Sequence, residues 1–159
     1  MSEKFKEAKA LNGVGAFHHL FDMPVHETPS IPSMERCKLR IALLEEELNE
    51  LKEAIKNNDI KEAADAFCDL QYVLSGAIHE FGLGEIFSSM FEEVQRSNMS
   101  KACSSFDEAL QTQEKYFKEK QVVSEIKEKE NLFLVYRSED GKVLKSVNYS
   151  PADLLQFLK

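Results

Sequence analysis

Between Glu62 and Gln95 the chain contains no lysine and no arginine. At about 100° per residue, Glu62, Asp65, Asp69, Tyr72 and Gly76 fall on one narrow arc of a helix. Most of the remaining surface is apolar: Ala63, Phe67, Leu70, Val73, Leu74, Ala77, Ile78 and Phe81. That much apolar surface predicts a largely buried helix. A solvated acidic face usually carries lysine one turn on, and this one does not. Its carboxylates must find counter-charge elsewhere.

The preceding segment has the same period. Leu44, Leu48, Leu51 and Ile55 form a core stripe with spacings of four, three and four, and Leu43 and Ala54 widen it. Glu47 falls between Leu43 and Leu51, inside that sector, with Glu50 at its edge. Arg36 and Arg40 project into the same sector, while Glu46 lies further round and Glu45 on the opposite flank. Ser33 is placed to cap this helix, which the pattern carries to about Lys56. Asn57-Asn58-Asp59 breaks it, and Asp59 can cap the acidic helix from Ile60 to about Phe81.

The rest of the chain is less regular. Residues 1–33, punctuated by Gly13, Gly15, Pro24, Pro29 and Pro32, read as an irregular arm with short helical pieces near Phe17–Phe21. After Gly82-Leu83-Gly84 a third helix is expected from Glu85 to about Gln95. Ser105-Phe106-Asp107-Glu108 matches a capping box and opens a fourth, with Phe106, Ala109, Leu110, Gln113 and Phe117 on one side. Val122–Lys127, Asn131–Arg137 and Lys142–Val147 suit a small antiparallel meander or hairpin. Ser150-Pro151-Ala152-Asp153 is expected to begin a short terminal helix, with Pro151 at its first position. The organisation read from sequence is an arm (1–33), an all-α core (34–118), a β appendage (119–148) and a terminal helix (149–159).

Composition removes several classes. A net charge of −8 over 159 residues is a poor match for a nucleic-acid polymer or an anionic membrane. The polar N-terminal stretch has neither a signal-peptide pattern nor a membrane span, which points to the cytoplasm. Cys37, Cys68 and Cys103 are far apart and form no CxxC pair, which disfavours disulfides and zinc. Cys37 and Cys68 fall where packing is the usual role of a thiol. His18, His19, His26 and His79 give no metal-binding pair at i, i+4, so structural or solvent roles are expected.

Clustered carboxylates repel one another, and burial raises the cost. Protonation or a multivalent cation relieves it. An all-oxygen donor set favours a hard ion, Mg²⁺ or Mn²⁺. The competing reading is an ordinary acid-rich surface.

These residues carry a resemblance. Glu46-Glu47-x-x-Glu50 on one helix, followed by Glu62-x-x-Asp65 and Asp69-Leu70-Gln71-Tyr72 on the next, resembles the MazG-like all-α nucleoside triphosphate pyrophosphohydrolases, related to phosphoribosyl-ATP pyrophosphohydrolase. Their hallmark is EExxE followed by ExxD. Phe91-Glu92-Glu93-Val94-Gln95-Arg96-Ser97-Asn98-Met99-Ser100-Lys101 is similar to a segment of one MazG-like branch, as are Asp140–Lys145 and the Tyr149-Ser150-Pro151 ending. The ExxD aspartate aligns either with Asp65, with Glu62 as its partner, or with Asp69, where the glutamate position holds Ala66. The first is preferred, leaving Asp69 as an extra acid one turn on. Residues 104–131 have no counterpart in the short family form.

The resemblance implies a mainly α, antiparallel helical bundle whose four-helix core is completed by oligomerisation, with the β element as an appendage. It implies hydrolysis between the α and β phosphates of a nucleoside triphosphate, giving monophosphate and pyrophosphate. Glu47, Glu50, Glu62 and Asp65, with Asp69 less securely, become the Mg²⁺ ligands. Glu46 is either a ligand or the base for the attacking water. Asn98 and Lys101, then Arg96, Tyr72 and Lys145, become candidates for substrate contact, against ordinary roles at a helix end, in the core or on an exposed strand. A homodimer or homotetramer is expected. A non-catalytic oligomer acting as nucleotide sensor or scaffold, and a phosphoribosyl-ATP pyrophosphohydrolase, stay open as alternatives.

Overall fold

The computed structural model describes residues 4–158. The chain divides into two compact units, Met1–Phe87 and Ser88–Lys159.

The first unit is built on a helical hairpin. Helix α2 (Met34–Lys56) starts under Ser33, whose hydroxyl accepts from the Arg36 amide. It ends at Asn57, and Asn58 follows at φ 53°, a left-handed position that asparagine tolerates. Asp59 then caps α3 (Ile60–Glu80), its carboxylate accepting from the Lys61 and Glu62 amides at 3.0 and 3.1 Å. Start and stop signals are therefore local, as the sequence predicts. The short turn makes the pair antiparallel: Leu51 and Ala54 of α2 pack on Ala63 and Ala66 of α3, with Leu70 beside them.

The segment read as an irregular arm contains an eleven-residue helix, α1 (Ala10–Leu20), despite Gly13 and Gly15 in its interior. Glycine disfavours helix by about 1 kcal/mol relative to alanine, so tertiary contact holds this one. His79 Nε2 of α3 donates to the Leu11 carbonyl at 2.8 Å. The Phe17 ring meets Tyr72 edge-on at 5.7 Å. The following extended loop serves the end of α3. The His26 and Ser30 amides donate to the His79 and Phe81 carbonyls, which a helix end otherwise leaves unpaired. Gly82, at φ +68°, lets this loop pass, since a Cβ there would stand 2.1 Å from the Thr28 carbonyl oxygen.

The expected burial of α3 is only half met. Ala63, Ala66, Ser75, Gly76, Ile78 and Glu80 are buried, but Phe67 is 59% exposed and Leu74 42%. On α2, Leu51 and Ala54 are buried, whereas Leu48 and Ile55 of the expected core stripe are exposed. The apolar sectors are wider than one partner helix can cover.

Helix α4 (Phe87–Met99) lies in the second unit apart from its first residue, and starts and ends later than the sequence pattern suggested. Helix α5 (Phe106–Lys120) has the expected Ser105 cap. The box is modified: Glu108 reaches back to the Ser104 amide and hydroxyl, and also accepts from Ser146. Ala109 and Gln113 turn inward, but Phe106, Leu110 and Phe117 are exposed.

Strands β1 (Ser124–Lys129) and β2 (Leu132–Arg137) form an antiparallel hairpin. Its turn is Glu130-Asn131, both at positive φ, as a two-residue primed turn requires. The third extended segment adds only an isolated bridge, Tyr136 to Val143. Cys103, Ala109, Val135 and Leu144 make the core of this unit. The expected terminal helix is a single 3-10 turn, Leu155–Phe157.

Of the cysteines, Cys103 is buried and Cys37 half-buried. Cys68, expected to pack, is exposed. Among the described residues no helix is long and apolar enough to cross a membrane.

Candidate active site

The antiparallel hairpin sets α2 and α3 side by side with their polar arcs meeting, and two different charge environments result. Toward the start of α2, Arg36 and Arg40 meet Glu80 near the end of α3. Arg36 Nε donates to Glu80 Oε2 at 3.1 Å and Arg36 Nη2 bonds Oε1. Arg40 Nη2 donates to Oε1 at 2.5 Å. Glu80 is fully buried and Arg40 nearly so. The two guanidiniums overcome the effect of burial and hold the Glu80 carboxyl below its ordinary range.

Helix α1 closes this end. His18 donates from Nδ1 to the Pro24 carbonyl at 2.9 Å and accepts from Arg40 Nη2 on Nε2 at 3.2 Å. Burial lowers its pKa and keeps the ring neutral. Gly76 makes the approach possible, since a Cβ there would stand 2.7 Å from Arg40 Nη1 and 3.0 Å from His18 Nε2. His18 and His79 thus have the structural roles expected of them.

Midway along the hairpin the situation reverses. Glu47 is half-buried, and its carboxyl is pushed up by burial first, then by the charges of Asp69, Glu50, Glu46 and Asp65. All four neighbours are acids of the EExxE helix or the ExxD helix. None of the five takes an ion pair among the described residues. Asp69 is half-buried, while Glu46, Glu50 and Asp65 are exposed.

Glu62 stands apart. It is exposed, pairs with Lys61 at 3.1 Å and is not among the largest charges acting on Glu47. The structure therefore brings five of the six predicted acids into one electrostatic group and leaves Glu62 at its margin. Asp69, which the preferred alignment made an extra, is the strongest of the charges acting on Glu47.

No three His, Cys, Asp or Glu side chains among the described residues stand close enough together to hold a metal ion as they are. The donor chemistry nonetheless fits a hard divalent cation. The group is all carboxylate, none of its members takes an ion pair among the described residues, and its central member is pushed up by burial first and then by its neighbours' charge. A cation between the helices would relieve that repulsion. A cleft of about 480 Å³ in this unit lies along α1 beside His18, His19 and Asp22, and its lining includes none of these acids.

The substrate candidates have local partners. Tyr72 packs against Phe17. In the second unit, Arg96 is committed to Glu93 by two hydrogen bonds of 2.7 and 2.8 Å, and to the Pro151 carbonyl at 3.1 Å. That ion pair, with the Asp153 amide, holds the Glu93 carboxyl down at about 2. Lys101 Nζ donates to Asn98 Oδ1 at 2.7 Å. Lys145 Nζ lies over the Tyr149 ring, 4.3 Å from its centre.

Sequence reasoning missed Glu80. The signal was present: Glu80 continues the arc of Glu62, Asp65, Asp69, Tyr72 and Gly76 by one more turn. An antiparallel register sets that turn opposite Arg36 and Arg40.

An uncharacterized protein of Acanthamoeba polyphaga mimivirus is 30% identical over 112 residues, covering 64% of this chain and 43% of that relative. The chain thus spans less than half the relative's length. The phosphoribosyl-ATP pyrophosphohydrolase family model matches residues 14–98, from within α1 through α2 and α3 to the end of α4. With more than half of its length matched, the chain belongs to the phosphoribosyl-ATP pyrophosphohydrolase family, within the MazG-like superfamily.

Proposed function

We propose that the chain is a Mg²⁺-dependent pyrophosphohydrolase of nucleoside triphosphates. Water adds to the α phosphorus, the bond from that phosphorus to the α–β bridging oxygen breaks, and pyrophosphate leaves a nucleoside monophosphate. The observation that carries this reading is the Glu47 carboxyl, half-buried, surrounded by four acids and without an ion pair among the described residues. A fold that only needed stability would place a lysine there, as it places two arginines on Glu80.

Glu47, Glu50, Asp65 and Asp69 are the proposed metal ligands, with Glu62 a further donor once the ion draws the helices' acids together. Bound Mg²⁺ would offset charge on the phosphoryl oxygens and orient water. Glu46, exposed beside Glu47 on α2, is the proposed acceptor of that water's proton. Asn98 and Lys101 are proposed as substrate contacts, on the family resemblance.

A homodimer is part of the proposal. Phe67, Leu74, Leu48 and Ile55 leave apolar surface on both helices of the hairpin that a second copy would cover, completing a four-helix bundle.

The test is pyrophosphate release from a panel of nucleoside triphosphates and phosphoribosyl-ATP, with Mg²⁺ and with EDTA. Wild type should turn over at least one nucleoside triphosphate with Mg²⁺ only, and Glu47→Gln and Asp69→Asn should abolish turnover. Glu46→Gln should lower kcat by about 10²–10⁴-fold if it is the base. Equal inertness of wild type and variants across the panel would defeat the reading. Sedimentation showing only monomer at micromolar concentration would defeat the dimer.

A further inference from the structure

Two histidines hold α1 on the hairpin, and they answer a proton differently. His79 Nε2 donates to the Leu11 carbonyl, while its Nδ1 faces Gly84, where a Cβ would stand 3.0 Å away. A second proton on this ring would go to Nδ1 and leave the Leu11 bond intact. His18 has no such freedom. It is 2% exposed, and both of its ring nitrogens are used, Nδ1 towards the Pro24 carbonyl and Nε2 towards Arg40 Nη2. A guanidinium only donates, so Nε2 must be the unprotonated nitrogen. The neutral ring is built into the docked geometry.

A proton on Nε2 would set two donors against each other across 3.2 Å. It would also take an acceptor from Arg40, whose Nε is already buried without a hydrogen-bond partner. The groups facing His18 offer little relief. From α2 there is Arg40, with Arg36 beyond it on Glu80; from α3 there are His79, its ring centre 5.8 Å away, and Glu80. Glu80 favours a charged ring, but both of its oxygens are engaged by the arginines. On the α1 side, His19 and Asp22 border the same cleft and are exposed to water. Burial first, with Arg40 and His79 behind it, outweighs the Pro24 bond and Glu80, so the ring titrates below the ordinary histidine value.

Much of the N-terminal region hangs on this contact. The Met23 amide donates to the His18 carbonyl at 2.8 Å, and the loop that follows bonds the end of α3 through the His26 and Ser30 amides. Phe17, next to His18, meets Tyr72 edge-on, one turn from Asp69. We infer that His18 is the latch of an acid-released flap: α1 and the loop to Ser30 stay docked on α2 and α3 while the ring is neutral, and come away when it takes a second proton, baring the Tyr72 face of α3. Histidine is the side chain suited to this task near neutral pH. The flap belongs to the first unit alone and stands whether or not the acidic group hydrolyses triphosphates.

Above the ordinary histidine value of about 6.5, docking is at full strength, and it weakens as pH falls from there to the depressed folded value. Glu80 keeps its charge across that window, because its own pKa lies below the ordinary carboxylate range. The test is amide hydrogen exchange of the whole chain at about pH 7.5 and about pH 5.5, corrected for intrinsic rates. Protection of α1 and of the Met23, His26 and Ser30 amides should fall about three- to tenfold at the lower pH, while α2 and α3 amides around Leu51 and Ala66 hold theirs. His18→Gln, which keeps a donor and an acceptor but does not titrate, should show no such fall. His79→Gln should show the wild-type fall. Uniform protection of wild type at both pH values would overturn the latch. So would a fall that persists in His18→Gln, one that vanishes in His79→Gln, or one shared equally by Leu51 and Ala66, which would be global unfolding. If His18→Gln leaves α1 unprotected at every pH, the wild-type ring decides: a ¹⁵N titration of His18 below the ordinary histidine value supports the latch, and one at or above it overturns it.

Discussion

Glu80 and Glu47 occupy the same helical hairpin and meet opposite fates. Glu80 loses all contact with water, and two arginines hold its carboxyl below the ordinary range. Glu47 is only half-buried, yet burial first and then its four acidic neighbours, with no opposing cation, raise it above that range. Burial is therefore not what separates them; partner sign is. At one end the fold has neutralised its buried charge from within. In the middle it has gathered like charges and left them, which is unfavourable for the empty protein and useful only to something that brings positive charge.

The largest expected effect comes from breaking the neutralised end. Glu80→Gln leaves Arg40, 5% exposed, without its carboxylate. Removing one partner of a buried pair costs about 3–5 kcal/mol. Urea unfolding should show a loss of that size, with α1 loosened because His18 leans on Arg40. The pH sign follows from the lowered pKa. The Glu80 contribution is full above its unfolded value and is lost as pH falls through its depressed folded value. A loss below about 1 kcal/mol would mean that Glu80 and Glu47 do not differ as described.

Glu47→Gln should do the reverse. Its folded pKa is raised, so the ionised carboxylate opposes folding above that pKa, and the penalty disappears as pH falls from there toward the ordinary glutamate value. At neutral pH and without metal the variant should be at least as stable as wild type, with the difference vanishing on acidification. Mg²⁺ inverts the order: at a hundredfold excess over its Kd it should stabilise wild type by about 2.7 kcal/mol and leave the variant unmoved. Thermal melts with and without Mg²⁺ at two pH values check all four cases.

How much of this could be read from the sequence depended on distance along the chain. The caps at Ser33, Asp59 and Ser105, and the break at Asn57-Asn58-Asp59, are local hydrogen-bond chemistry and were legible. So was the acid stripe, because the absence of lysine over Glu62–Gln95 is a property of composition. The Arg36–Glu80 and Arg40–Glu80 pairs span 44 and 40 residues and exist only once an antiparallel register is fixed. Helix α1 defeated its own propensity, since its glycines argue for a loop and only contact with His79 and Tyr72 makes it a helix. The terminal segment failed the other way: its Ser-Pro start has good cap chemistry, but only three residues coil. Exposure of Phe67 and Leu74 was hidden because periodicity reports which face is apolar, not what covers it.

The smallest effect sharpens the acid group itself. Asp69 and Asp65 both raise Glu47, but Asp69 is the first of the charges and Asp65 the last. Asp69→Asn should therefore lower the Glu47 pKa more than Asp65→Asn does, each by a fraction of the total, because burial remains the leading cause in both. Carboxyl ¹³C titration of Glu47 without metal measures this directly. The ranking also decides which aspartate answers the EExxE helix. If Asp65→Asn moves Glu47 further, the helices meet one turn away from the register described here, and Glu62-x-x-Asp65 regains the central place that its spacing suggests.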